Sequence, residues 1–338
     1  MNKKFTRWLL CMLVCMFSSA TWALDQVGGV YQIGTGQDLA DFAALVNGGD
    51  VTANAVLTAD IDYTGQTAMI GSRSKRFAGT LDGQGHTITL DFTATAENYS
   101  LFGYVCGAVR NLRVTGTVKA GVKVVGGIIS NLYGGLMENC YCDVVMEISM
   151  TGDATCGGLV GRSGIASSLR NCVFAGKLVG KAAQRCGGLI GWVEGSTSIS
   201  NCLQLGEMDI DVNADSYALG RNSQKEGKIN NCYVLKGFRG TVDAGVTEVT
   251  SEQVESGEVA FRAGMGQKLD TDKVPSPLNQ NRVYATATSC SGEGATGFTN
   301  NKAEAQMPEH SFTGYKCSVC GALNEEFVVP ENGAYKIS

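Results

Sequence analysis

The sequence predicts an all-β protein, a right-handed parallel β-helix (a solenoid) with a short N-terminal capping helix and a small, partly irregular C-terminal tail. Three observations indicate this fold class: a repeat near thirty residues, short β-branched apolar runs, and 45 glycines against only 4 prolines. A period of this length indicates stacked units, none of which can bury its apolar side alone. Short apolar runs separated by Gly and Asn are typical of strands.

The repeat is clearest where Asn is followed by Cys. The pairs begin at Asn139, Asn171, Asn201 and Asn231, so the spacings are 32, 30 and 30, and Asn111 opens an earlier copy 28 residues upstream. Asn tolerates positive φ and bonds local backbone, which predicts a turn at this position. Stacked Asn amides can also bond one another along the axis. Each coil of strands and turns would add about 4.8 Å to the stack.

The Cys that follows each Asn is predicted to point inward as a small apolar filler. The chain has 13 cysteines, two of which lie in the first 23 residues, so eleven remain. Because Cys140, Cys172, Cys202 and Cys232 share one column, packing alone explains them and buried free thiols are the favoured interpretation. Disulfides remain the alternative, since an exported chain rich in Cys usually carries them.

The block Gly157-Gly158-Leu159-Val160-Gly161, followed by Leu169-Arg170-Asn171-Cys172 and then a Gly with an apolar residue, resembles the GLUG-motif repeat of bacterial secreted and surface proteins. The resemblance extends over about residues 100–238. It implies a secreted or surface-displayed β-helical module without conserved catalytic residues.

Residues 1–23 are typical of a cleavable secretory signal, with Lys3, Lys4 and Arg7 before an apolar run from Leu9 to Phe17. The expected location is therefore extracellular or on a bacterial cell surface. No later stretch reaches membrane-spanning length, so the mature chain is expected to have no transmembrane segment. A net charge of −5 without a basic patch argues against a nucleic-acid partner.

Residues 24–95 are predicted to form the N-terminal cap and the first coils. Thr35 and Asp38 form a capping-box pattern before apolar residues at helical spacing, and Gly48 ends the predicted helix. A helix here would cover the open end of the stack, which is otherwise an unpaired edge. Further on, the string from Leu81 to Ile88 resembles the opening coil of right-handed β-helix proteins, including pectin-lyase-like ones, both enzymes and non-enzymes.

Residues 96–240 are predicted to be the repeat array, and ligand binding would be placed on its surface loops. Trp192, Arg162 and Arg221 each follow a Gly in the first strand of a coil, so they are the candidate ligand-binding residues. An exposed Trp at this place could stack on a sugar. The alternative is a simple surface Trp covered by a loop.

Residues 241–289 are predicted to hold a second capping helix, over the C-terminal end of the stack, followed by a linker. Residues 290–338 are a Cys/His-containing tail in which Cys290, His310, Cys317 and Cys320 are the candidate metal ligands. The pattern resembles half of a zinc ribbon, and four protein ligands would make any zinc structural. A Cys317–Cys320 disulfide and a metal-free linker remain open, and no cofactor is otherwise required.

The sequence offers no convincing catalytic constellation. Glycan-cleaving β-helices need carboxylates that converge in one groove, yet no aligned column carries two acids in adjacent coils. Asp153, Glu194 and Asp215 form the best acidic grouping, and a solvated face is its simpler meaning. The sequence therefore predicts a non-catalytic surface scaffold or adhesin-like module that binds an extracellular glycan or protein, and the alternative is a glycan-processing enzyme.

Overall fold

The computed structural model describes residues 24–211, 215–222, 227–286, 290, 297–305, 310–314, 316–322, 324, 328–331 and 334–337. The predicted signal segment 1–23 lies outside this range. The helices of the described residues are α1 (Gly36–Gly48), α2 (Ser251–Glu255) and α3 (Glu258–Ala263).

The strands are short, and nearly all of them precede residue 250. They are β1 (Gln26–Val27), β2 (Val30–Ile33), β3 (Asn54–Leu57), β4 (Ile61–Asp62), β5 (Thr80–Asp82), β6 (Thr87–Ala94), β7 (Phe102–Val105), β8 (Ala108–Arg110), β9 (Arg113–Ala120), β10 (Ile129–Leu132), β11 (Leu136–Glu138), β12 (Tyr141–Cys142), β13 (Val145–Ile148), β14 (Gly152–Asp153), β15 (Val160–Ser163), β16 (Ser168–Arg170), β17 (Val173–Phe174), β18 (Lys177–Gly180), β19 (Ala183–Gln184), β20 (Ile190–Val193), β21 (Thr197–Ser200), β22 (Leu203–Gln204), β23 (Glu207–Ile210), β24 (Gly227–Asn230), β25 (Cys232–Leu235) and β26 (Val246–Val249). The tail adds β27 (Tyr284–Thr286), β28 (Gly297–Thr299), β29 (Phe312–Thr313), β30 (Lys316–Cys317), β31 (Val328–Glu331) and β32 (Ala334–Ile337).

These strands form a parallel β-solenoid of about seven turns, which confirms the predicted fold class. Three sheets run along its axis. The first sheet follows the order β2-β3-β5-β8-β11-β16-β21-β24, the second follows β7-β10-β15-β20, and the third contains β6, β9, β12, β17, β22, β25 and β26. Within the first sheet Leu169 pairs in parallel with Met137 on one side and Ile199 on the other. The apolar residues two positions before successive Asn residues therefore stack in one column.

The Asn column forms a continuous hydrogen-bonded ladder. Its five members have φ between 50° and 52°, the left-handed conformation that the sequence pattern predicts. Each amide nitrogen Nδ2 donates to Oδ1 of the Asn one coil earlier, over 3.0, 3.0, 3.1 and 2.8 Å from Asn139 to Asn231. At the first end Asn111 donates instead to the carboxylate of Asp82 at 3.0 Å.

The neighbouring column of cysteines lines the interior, as predicted. Cys140, Cys172, Cys202 and Cys232 are fully buried and carry free thiols. Each thiol donates to the backbone carbonyl two residues before it, over 3.1–3.3 Å. The hydrogen of each buried thiol therefore has an acceptor, and no disulfide is needed to explain the column.

Helix α1 closes the N-terminal end of the stack. Thr35 and Asp38 form both hydrogen bonds of the predicted capping box. The buried face of the helix places Phe42 edge-on against Phe77, at 5.9 Å between ring centroids, and Phe77 contacts Phe102 of the next coil at the same distance. This aromatic column continues the interior of the solenoid into the helix.

Helices α2 and α3 do not lie over the C-terminal end of the stack, contrary to the prediction. They pack beside the stack, with Val254 and Val259 buried in one cluster with Val173, Leu203 and Tyr233. Each of these three strand residues follows a Cys whose side chain points inward. Because side chains alternate along a strand, Val173, Leu203 and Tyr233 point outward from the third sheet. Those outward residues are apolar, so this face requires a cover.

The chain continues from α3 toward the first coils along the same face. Residues 272–279 share a groove with Gly85, Thr87, Arg113 and Tyr141. We call residues 250–279 the C-terminal strap. It occupies the outer face of the third sheet and leaves the second sheet without this cover.

Candidate metal centre and candidate binding face

The four tail residues with metal-binding side chains meet at one point. Ligand atoms of Cys290, His310, Cys317 and Cys320 all lie within 4.8 Å of one another. The Sγ atoms of Cys290 and Cys317 are 3.4 Å apart, and Sγ of Cys320 is 3.3 Å from Nδ1 of His310. The structure thus assembles all four candidate ligands, including Cys290 and His310, which are 20 residues apart in sequence.

Local structure explains how the Cys-x-x-Cys pair converges. Cys317 ends β30, and the backbone then turns so that the N–H of Val319 donates to Sγ of Cys317 at 3.4 Å. Gly321 follows with φ of 73°, a conformation that favours glycine, and its N–H donates to the carbonyl of Cys317 at 2.9 Å. This tight turn brings Cys320 back beside Cys317.

The thiols of the cluster differ in pKa. Backbone N–H groups of Cys320 and Val319, with the His310 side chain, lower the pKa of Cys317 to about 5. Burial, followed by the hydrogen bonds with Cys317 and Cys320, raises the pKa of Cys290 to about 11. Backbone donors aimed at a sulfur stabilise a thiolate, which is the form that binds metal.

The cluster joins two hairpins of the tail. Cys290 lies between β27 and β28, an antiparallel pair, whereas His310 and Cys317 belong to the hairpin of β29 and β30. The first hairpin is fixed to the strap, because Phe298 contacts Phe261 of α3 at 6.0 Å between ring centroids. Asn300 also donates to the carbonyl of Gln267 at 2.8 Å.

The second sheet carries the candidate binding face, formed by Arg162 and Trp192 with their neighbours. Arg162 pairs directly with Trp192 in the parallel register. Arg221 does not occupy the equivalent position of the next coil, as the sequence alignment predicted. Ile190 bridges to Gly220, so Arg221 aligns with Gly191 and lies one residue earlier than expected. The last block has lost one aliphatic residue, and this shifts the register by one.

Arg221 is nevertheless held against Trp192. Its guanidinium carbon lies 4.2 Å from the centroid of the Trp192 ring, a cation–π contact. Its side chain is only 13% exposed and reaches Asp153 at 3.6 Å. Burial lowers the pKa of Arg221, and the charge of Asp153 opposes that shift. One ring face of Trp192 is therefore already covered by Arg221.

Asp153 is the centre of a charged cluster beside this face. It lies 3.3 Å from Lys123, 3.5 Å from Arg185 and 3.6 Å from Arg221. Although burial raises its pKa, the hydrogen bonds from Thr155 and Lys123 and the positive charges nearby outweigh burial and lower the pKa of Asp153. The acid is thus held as a carboxylate among cations.

The other two acids of the predicted grouping are also paired with cations. Glu194 accepts from the guanidinium of Arg162 and from the hydroxyl of Tyr133, the latter at 3.0 Å. Asp215 accepts from Arg185 at 3.1 Å. Sequence reasoning missed Lys123 and Arg185 as partners. Their separations from Asp153, 30 and 32 residues, match the repeat spacing and would have revealed them.

Comparisons with known proteins identify no family. No protein-family model matches the chain, and no curated protein matches it. A similar solved structure is a protein of Bacteroides ovatus provisionally described as an immunoglobulin A1 protease, with 18% identity and a TM-score of 0.49 over 74% of this chain and 93% of that one. At this level of similarity no activity is transferred, and the resemblance to the GLUG repeat stays a prediction.

Across the described ranges, no helix combines the length and the apolar character that crossing a bilayer requires.

Proposed function

We propose that this chain is an exported, non-catalytic β-solenoid that acts as a surface scaffold and binds an extracellular glycan or protein. The observation that carries the proposal is that the acidic residues of the predicted grouping near the binding face are all paired with cations. Asp153, Glu194 and Asp215 each form an ion pair with an arginine. A glycosidase or lyase site instead needs a carboxylate free to take or give a proton beside another acid or a cation-bound substrate.

The second sheet is the proposed contact surface. The strap covers the outer face of the third sheet, whereas the second sheet presents Arg162 and Trp192, both half-buried, on adjacent strands. Aromatic rings and guanidinium groups on a rigid surface suit sugar rings and their hydroxyls. The parallel backbone pairing of β15 with β20 fixes their spacing, which lowers the ordering cost on binding.

The test uses an array of soluble bacterial and mucin-type oligosaccharides. We expect saturable binding without any shortened product in the recovered oligosaccharides. Trp192→Ala should weaken that binding at least tenfold, whereas Val27→Ala, which changes an aliphatic residue 68% exposed in β1, should not. Shortened products that depend on Asp153 or Glu194 would instead support the glycan-processing alternative.

Secretion is tested separately. Culture medium or surface fractions of the producing bacterium should contain a chain that begins near residue 24, as determined by N-terminal mass spectrometry. An intracellular chain that retains residues 1–23 would overturn the proposed location.

A further inference from the structure

We propose that Cys290, His310, Cys317 and Cys320 bind one structural Zn²⁺ ion that fastens the β29–β30 hairpin to the rest of the chain. The site is distinct from the binding face of the second sheet and does not depend on the function proposed for it. Three steps support the assignment: the geometry of the donors, their chemistry, and the weakness of the hairpin without a crosslink.

The geometry fits a tetrahedral ion. With Zn–S of about 2.3 Å and Zn–N of about 2.0–2.1 Å, tetrahedral ligands lie roughly 3.6 Å (S to N) or 3.8 Å (S to S) from one another. The Cys290–Cys317 separation of 3.4 Å and the Cys320–His310 separation of 3.3 Å are each a few tenths of an ångström shorter than these values, a difference that small side-chain rotations remove. A disulfide between Cys290 and Cys317 would require about 2.05 Å between the sulfurs. All four donor atoms lie within 4.8 Å of one another, near enough to share one ion.

The donor set selects zinc among common ions. Three thiolates with one imidazole suit Zn²⁺, whereas Mg²⁺ and Ca²⁺ prefer oxygen ligands. The N–H of Val319, directed at Sγ of Cys317, supplies an outer contact of the kind that stabilises a metal-bound thiolate. Four protein ligands leave no open position, so the ion would be structural.

The hairpin itself is small. Strands β29 and β30 contain two residues each, and an isolated two-stranded hairpin is marginal at best in water. Its apolar residues Phe312 and Val319 are 39% and 53% exposed. Small units of this kind depend on a metal or a disulfide for stability. Because Cys290 belongs to the loop after β27, a shared ion would tie this hairpin to the one that packs on α3.

The experiment measures metal content of the full chain, produced with added zinc and purified under reducing conditions. We expect one zinc per chain by elemental mass spectrometry. Cys317→Ser and Cys320→Ser should lower that content at least tenfold. The matched control Cys106→Ser changes a half-buried free thiol outside the cluster and should retain the zinc. Cobalt exchanged into the wild type should show the visible absorption of tetrahedral thiolate-bound Co²⁺, and Cys320→Ser should lose it.

A second readout separates a local site from global unfolding. Removal of zinc with a chelator should speed amide exchange across residues 310–322 at least tenfold, while residues 129–132 of β10 keep their protection. The proposal is overturned by a zinc-free wild type, by a Cys317–Cys320 disulfide in the native chain, or by equal zinc in Cys320→Ser and the wild type. An exchange profile that is unchanged by chelation would also contradict it.

Discussion

Asn201 donates its side-chain amide to Oδ1 of Asn171 at 3.1 Å, although the two residues are 30 positions apart in sequence. The bond is one step of a ladder that passes through five coils and keeps each turn in the left-handed conformation. Because each inner member both donates and accepts, a change at one rung affects two hydrogen bonds. The ladder therefore couples the turns of adjacent coils.

Asn201→Ala should lower the free energy of unfolding by about 2–4 kcal/mol, because Ala is strained in the left-handed conformation and two side-chain hydrogen bonds are lost. Asn201→Gly removes the strain and should recover about 1–2 kcal/mol of that loss. Urea unfolding followed by circular dichroism measures both variants. Ser198→Ala, which changes an exposed residue of β21, is the control and should stay within about 0.5 kcal/mol of the wild type. Equal losses in the Ala and Gly variants would contradict the role assigned to the backbone conformation.

The interior thiols should make the solenoid sensitive to alkali. Burial raises the pKa of Cys142 from 9.0 to about 12, and burial also raises those of Cys172 and Cys202. The folded state favours the neutral thiol, so this stabilisation is complete below pH 9.0 and is lost as the pH rises toward about 12. Cys142→Ala should show a smaller drop in unfolding free energy between pH 8 and pH 11 than the wild type.

Val144→Ala is the matched control for that comparison. It also truncates a fully buried side chain in the same stretch but removes no titrating group. Its unfolding free energy should fall with pH as steeply as that of the wild type. A slope in Cys142→Ala equal to that of Val144→Ala would disprove the contribution of this thiol.

Asp153→Asn should destabilise the face beside Trp192. The carboxylate contacts three cations, of which Arg221 is largely buried, so its neutralisation should cost about 1–3 kcal/mol at pH 7. Since the folded pKa of Asp153 lies below its ordinary value of 3.8, the stabilisation is present above that value and disappears as the pH falls through the folded pKa. The two proteins should therefore become equally stable toward pH 2. Glu207→Gln breaks an exposed pair with Lys177 and should cost less than about 1 kcal/mol.

Leu203→Ala should loosen the strap. Leu203 is fully buried between the third sheet and α2–α3, and loss of a buried Leu side chain costs about 2–5 kcal/mol. Hydrogen exchange should accelerate across residues 251–263 more than across β10. Ile165→Ala changes an aliphatic residue that is 70% exposed and should leave the exchange of both regions unchanged. Uniform acceleration throughout the chain would show that the strap and the solenoid unfold as one unit.

The repeat made the solenoid predictable, because stacking at a period near thirty requires residues such as Met137, Leu169 and Ile199 to share a column. The capping box at Thr35 also predicted α1 correctly, since its signal is local. The position of α2 and α3 was predicted wrongly. The sequence did contain a sign that these helices cover a face and not an end of the stack. Tyr141, Val173, Leu203 and Tyr233 each follow an inward residue, so they point outward, yet they are apolar and need a cover.

The candidate sites were predictable to different degrees. The four Cys and His residues of the tail were named from chemistry alone, but only the fold brings Cys290 to the hairpin that carries Cys317. The register of Arg221 was predicted wrongly because the Ala218-Leu219-Gly220 block lacks one aliphatic residue. Long-range ion pairs such as Asp153–Arg185 were missed, although their separation of 32 residues matches the repeat spacing.

The ladder of Asn residues also makes the molecule adjustable in length. Deletion of residues 171–200 would place Arg170 directly before Asn201 and keep the columns of Asn, Cys and preceding apolar residues continuous along the axis. The distance between α1 and the far end would shrink by about one strand spacing, 4.8 Å. Gain or loss of whole turns by gene duplication or recombination can thus set how far apart the two ends are held, without the invention of a new interface.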